Sequence, residues 1–243
     1  MKGLKLLLVP ALVLLFTGGA ALADPINFIS GGLGDWQSTT SSDYNRDGNP
    51  YFDNDSDDTG AGNQNLGEYL FGNGYLSGTA YFWGNADGSA DSDVSFEVGG
   101  GSITATIVVE IAGLADSNIF GWFELPAATP PVLHPLFAGA DGSGATTTFT
   151  PTNPFGFYLT SDGNTYYTVA SLNTTDQGVQ HFAFLTQSIG SGSLFIGAED
   201  LPMSRSDKDY NDMVIRVSVP EPGSLMLLGV GLLSLAGVHR RLS

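Results

Sequence analysis

From residue 99 onward, apolar and polar positions alternate with period two. Ser102–Ala112 puts Ile103, Ala105, Ile107 and Val109 on one face and Thr104, Thr106, Val108 and Glu110 on the other, as a half-buried strand does. Asn118–Leu125, with Phe120, Trp122 and Phe123, reads as a second strand. Thr146–Thr150, Pro154–Thr160, Tyr166–Ala170, Gln180–Thr186, Ser193–Glu199 and Asp212–Val219 bring the number of candidates to eight. Gly163-Asn164 and the Gly-Ser-Gly at 190–192 supply turns, and Ala127–Pro135 is proline-rich and reads as loop. Helix-period stripes are absent. The pattern predicts an all-β fold, an antiparallel β-sandwich of jelly-roll type. Residues 24–98 are less regular. They hold an Asp/Asn/Gly-rich stretch at Asp43–Gly62 and short aromatic strand candidates at Tyr69–Phe71 and Thr79–Trp83. They read as an extension packed on the sandwich or as a small subdomain.

The two ends follow a different logic. Met1–Ala23 opens with Lys2 and Lys5, runs apolar from Leu6 to Phe16, and closes on Ala21-Leu22-Ala23, the small-x-small pattern of signal-peptide cleavage. Asp24 becomes the mature start. At the other end, Val219-Pro220-Glu221-Pro222-Gly223 precedes an apolar run, Ser224–Val238, and then His239-Arg240-Arg241. The prolines stop the last strand because they carry no backbone donor. As a helix, Gly223–Val238 would be roughly 24 Å long, a little less than a hydrocarbon core of about 30 Å, with arginines to mark the cytoplasmic side. This triplet, apolar run and basic end resemble the PEP-CTERM sorting signal. The resemblance implies an exosortase partner, a transient inner-membrane helix, and delivery to the cell surface or exopolysaccharide matrix of a Gram-negative bacterium. The layout is a signal peptide over 1–23, an N-terminal region over 24–98, a β-sandwich domain over 99–219 and a sorting tail over 220–243.

Charge sharpens the picture. All 25 acidic residues fall between Asp24 and Glu221, against four basic ones, Arg46, Arg205, Lys208 and Arg216, so this body carries −21. It repels nucleic acid and anionic lipid and attracts cations. The absence of cysteine removes disulfides, thiol nucleophiles and thiolate metal sites.

The acids concentrate before the last strand. Glu199, Asp200, Asp207, Asp209, Asn211 and Asp212 put six oxygen-bearing side chains into 14 positions. Carboxylates this close repel unless a cation lies among them, and Ca²⁺, which takes six to eight oxygens, suits a flexible acidic loop better than Mg²⁺. An extended backbone would turn Asp207, Asp209 and Asn211 to one side, with Asp200 approaching from the preceding strand and Tyr210 pointing into the core. The alternative is a solvated turn capping a strand. The segment from Gly197 to Ser218 also resembles the closing motif of a domain of unknown function in exported bacterial proteins: Glu-Asp, then Asp-x-Asp-Tyr-Asn-Asp, then a β-branched strand. The resemblance spans about 100–218 and implies a β fold with functional acidic residues suited to calcium. It establishes no activity. The Met-Ser-Arg-Ser stretch at 203–206 departs from a glycine-rich pattern.

A second acidic loop, Asp43-Tyr44-Asn45-Arg46-Asp47-Gly48, matches the first half of a D-x-[DN]-x-[DN]-G calcium loop. Its twelfth position is Asn54 instead of Glu, and no helix pattern flanks it. Asp43, Asn45 and Asp47 are thus either ligands in a looser loop or part of a plain surface loop. Asp87–Asp93 reads as a turn.

Catalytic parts are sparse. There is no Gly-x-Ser-x-Gly, and His134 and His181 lie far apart in the chain without metal-ligand spacing. A carboxylate-based polysaccharide hydrolase would draw on Glu110, Glu124 or Glu199. A carbohydrate-binding module would draw on Trp36, Trp83, Trp122 or Tyr166-Tyr167, residues that otherwise fill a core. The reading preferred is a non-catalytic, calcium-stabilised surface or matrix protein.

Overall fold

The computed structural model describes residues 26–30, 64–77, 81–83, 93–152, 154–186, 192–206 and 209–219. Both terminal segments and the Asp43 loop lie outside them. Twelve strands and one helix are present among the described residues: β1 Asn27–Ser30, α1 Leu66–Gly72, β2 Tyr81–Trp83, β3 Ser95–Glu97, β4 Ile103–Glu110, β5 Ile119–Glu124, β6 Leu133–Ala138, β7 Thr146–Phe149, β8 Phe155–Ser161, β9 Asn164–Tyr167, β10 Phe182–Thr186, β11 Ser193–Ala198 and β12 Met213–Ser218. They form two antiparallel sheets. Sheet A runs β1-β3-β8-β5-β6 with β9 paired to β8; sheet B runs β2-β10-β11-β12-β4-β7. Residues before Gly99 therefore contribute to both sheets.

Alternation within each strand builds the core. Ile103, Ala105 and Ile107 from β4, Leu194, Ile196 and Ala198 from β11, and Met213, Ile215 and Val217 from β12 join Phe96, Phe120, Trp122, Phe155 and Phe157 of sheet A in one buried cluster. Phe96 reaches Phe184 of the other sheet with ring centroids 5.5 Å apart, so the two sheets pack face to face.

The outer face of sheet B is covered by α1. Its Leu66 and Leu70, with Leu76, pack on Ala183, Leu185, Phe195, Val214 and Tyr210. The aromatic residues Tyr69–Phe71 suggested a strand; the structure makes them helix. The signal that decides this is local. Asn65 caps the helix by accepting from Glu68 N at 3.0 Å, while the Glu68 carboxylate accepts from Asn65 N at 3.3 Å. A helix of about two turns needs no long apolar stripe, which is why the period hides it.

β6 corrects the expectation of a loop through Pro135. It is an edge strand, where a residue without an N–H is tolerated, and its register with β5 shifts between Phe120 and Gly121. His134 lies on β6, its ring stacked on Trp122 at 4.2 Å.

The register of β4 against β12 is irregular. Val214 pairs with Val109 but Ile215 pairs with Ile107, so Val108 is an extra, bulged residue in β4. Val108 and Val109 both pack on the helix side. Past the bulge the parity reverses, and Glu110 stands opposite Met213, a residue of the inter-sheet core. Simple alternation put Glu110 on the outer face with Thr104; the bulge places it on the inner one.

Candidate functional site

The acidic residues before β12 gather at one end of sheet B, and strand parity divides them into two groups. β11 turns Leu194, Ile196 and Ala198 inward, so Asp200 continues on the inner side and Glu199 on the outer side.

The outer group centres on Glu199, which is 0% exposed. Its Oε1 accepts from Tyr210 N at 2.7 Å, and its Oε2 accepts from the Ser206 hydroxyl. Asp209 accepts from Asn211 N at 3.1 Å and from Asn211 Nδ2 at 2.6 Å. The same segment is tied to the start of α1. Leu66 N donates to Asp209 O at 2.8 Å, and Asn211 Nδ2 donates to Gln64 O at 2.5 Å. Tyr210 adopts a left-handed φ of 55°, which lets its N–H reach Glu199 while its ring packs beneath α1. Burial, with the neighbouring Asp212 and Asp209 charges adding to it, holds the Glu199 carboxyl well above the usual carboxylate range. The expected inward-pointing Tyr210 is thus found packed against the outer helix, and Asp209 and Asn211 are buried with it.

The inner group joins the sheets. Asn118, just before β5, shares the parity of Phe120 and Trp122 and is 1% exposed. Its Nδ2 donates to Asp200 Oδ2 at 3.2 Å, and Asp200 N donates to Asp212 Oδ2 at 2.9 Å. Glu110 lies beside them with both carboxylate oxygens buried and without a hydrogen-bond partner. Burial pushes its pKa up to about 7; the Asn118 side-chain amide pulls the other way, and Asp200, Asp116 and Asp141 push further up.

Asp207, Asp43, Asn45 and Asp47 lie outside the described residues. Among the described residues, no group of three or more His, Cys, Asp or Glu side chains is arranged to hold a metal ion. The sugar-stacking candidates Trp122 and Tyr166 are core residues, 8% and 1% exposed. Glu124 is exposed at the far end of β5, six residues and about 20 Å along the strand from Asn118. Among the described residues, no helix is long and apolar enough to cross a membrane.

Sequence comparison decides the class. Residues 218–241 match the PEP-CTERM protein-sorting motif, and residues 146–220 match the Domain of unknown function (DUF4114). The chain is a PEP-CTERM protein with a domain of unknown function. No curated protein and no solved structure matches it. As a PEP-CTERM protein it is exported in a Gram-negative bacterium, held transiently in the membrane, and processed by an exosortase. The second match begins at β7 and ends just past β12, so it contains both groups' contributions from Glu199 to Asp212. Glu110 and Asn118 lie outside it. Sequence reasoning named neither as a ligand. The parity of Asn118 with Phe120 was there to be used; the bulge that turns Glu110 was not.

Proposed function

We propose that the exported PEP-CTERM protein is a non-catalytic component of the cell surface or exopolysaccharide matrix, structural or adhesive, whose β domain is stabilised by calcium. The observation that carries this is the full enclosure of Glu199 beside Asp209 and Asp212. Enclosed like charges destabilise a fold unless a proton or a cation offsets them. The carboxylates of Glu199, Asp200, Asp209 and Asp212 and the amide oxygen of Asn211, with Asp207 between them in sequence, are donors of the kind a hard cation takes. Bound calcium would supply charge neutralisation and would fix the closing segment, which hydrogen-bonds the start of α1. Outside the cell, calcium binding to the folded state alone raises stability by mass action.

Thermal unfolding of the full chain in detergent tests the reading, once with excess EDTA and once with millimolar calcium. A midpoint several degrees higher with calcium is expected. Equal midpoints end the calcium assignment. Fractionation of the producing cells, with the chain recovered from the surface polysaccharide and not from the soluble medium, tests the matrix assignment.

A further inference from the structure

A second group of acceptors lies between the sheets, apart from the enclosed Glu199. Three oxygen atoms there are buried and have no donor: Glu110 Oε1, Glu110 Oε2 and Asn118 Oδ1. A buried acceptor left unpaired costs free energy, and a buried carboxylate costs more. The neighbours make the deficit worse. Asp200 reaches the same amide, and Asp116 and Asp141 add negative charge from the adjoining turns. A proton on Glu110 would remove its charge and could serve at most two of the three acceptors, whereas a cation could serve all of them and offset Asp200 as well.

The backbone around these atoms is fixed. Asn118 O accepts from Gly139 N at 2.7 Å, and Asn118 N donates to Ala115 O at 3.1 Å. A Cβ at Gly139 would fall 1.4 Å from Ala115 O and 3.2 Å from Glu110 Oε1, so the carboxylate sits close to this turn. Every ligand atom on offer is a carboxylate or amide oxygen, the donor set of calcium.

We propose that Glu110, Asn118 and Asp200 form a calcium site that bridges the two sheets. Glu110 comes from β4 of sheet B, Asn118 from just before β5 of sheet A, and Asp200 from just past β11 of sheet B. The ion neutralises the two carboxylates and fixes the open end of the sandwich. The site shares the closing segment's Asp200 but does not depend on calcium being held by Glu199, Asp209, Asn211 and Asp212.

Calorimetric titration of the full chain in detergent with calcium chloride tests it, comparing the natural chain with Glu110→Gln and Asp209→Asn. Glu110→Gln should weaken one binding event at least tenfold, and Asp209→Asn should leave that event unchanged. Melting in EDTA checks that Glu110→Gln folds; its midpoint there should equal or exceed that of the natural chain, since a buried charge has gone, while its calcium-induced rise should shrink. A second variant, Asn118→Asp, should bind calcium several-fold more tightly and melt earlier in EDTA; a merely structural amide would show only the loss. If Glu110→Gln binds calcium with natural affinity and stoichiometry, the bridging site is overturned, whatever Asp209→Asn does. If only Asp209→Asn loses binding, calcium belongs to the outer group alone. If the natural chain takes up no calcium, both assignments fall.

Discussion

The side-chain amide of Asn118 in one sheet donates to Asp200 of the other at 3.2 Å, a buried tie across the open end of the sandwich. Removing it leaves a buried carboxylate short of a donor. Asn118→Ala should lower stability in EDTA by about 2 kcal/mol, the usual cost of losing a buried hydrogen bond to a charged group. Urea unfolding followed by tryptophan fluorescence gives the value; a change below about 0.5 kcal/mol would mean that the tie contributes nothing.

Gly197 marks the closest approach of α1 and the closing segment to sheet B. A Cβ there would lie 2.3 Å from Tyr210 O and 2.6 Å from Leu66 Cδ2. Gly197→Ala should cost about 2–3 kcal/mol by overpacking, because a backbone oxygen cannot yield as a side-chain end can. The same urea experiment reads it.

The helix should matter out of proportion to its seven residues. Leu66 is 0% exposed in the cluster under α1. Leu66→Ala should cost about 3 kcal/mol through the cavity left behind, and Asn65→Ala about 1 kcal/mol through the lost cap. Amide exchange would show the helix opening before the sheets in both variants.

His181 sets an acid limit. It is fully buried, stacked on Tyr166 at 3.7 Å, and its Nε2 lies 2.9 Å from Asp176 Oδ2. Burial lowers its pKa to about 4, although Asp176 and the nearby backbone pull upward. The unfolded chain therefore takes the proton first. Stability on this account is full above about pH 6.5 and is lost as pH falls toward 4, by on the order of 3 kcal/mol. Urea midpoints between pH 7 and 4 should fall in the natural chain and fall less in His181→Gln. Parallel curves would exclude His181 as the cause.

Export makes its own prediction. Replacing Pro220, Glu221 and Pro222 together with alanine should leave the chain unprocessed in the membrane fraction, seen as a band of higher mass than the surface form. Normal processing and normal surface yield would show that the triplet is not what the exosortase reads.

Much of the sandwich was legible because a strand with one buried face must alternate, and Ile103-Thr104-Ala105-Thr106-Ile107 does so plainly. Four things were not. β6 is broken by Pro135, which only an edge position allows. The helix at Leu66 is too short to show a period and is announced by its cap instead. Glu199 and Asp200 read as one acidic pair, yet neighbours in an extended chain face opposite ways, and the outer and inner groups follow from that. The reversal at Val108 depends on pairing with β12, a contact more than a hundred residues away, and no local pattern encodes it.

The last strand to be made is a middle one. β12 lies between β11 and β4, and the sorting motif begins at residue 218, where β12 ends. A chain threaded outward from its N-terminus cannot finish sheet B until nearly all of it has crossed, because β2-β10-β11 and β4-β7 have no seam until β12 arrives. Any chain cut short before residue 213 presents two raw strand edges, on β11 and on β4, and such edges invite aggregation and proteolysis. The order of the pieces thus ties address to completeness: every molecule that carries the sorting motif also carries the strand that closes sheet B.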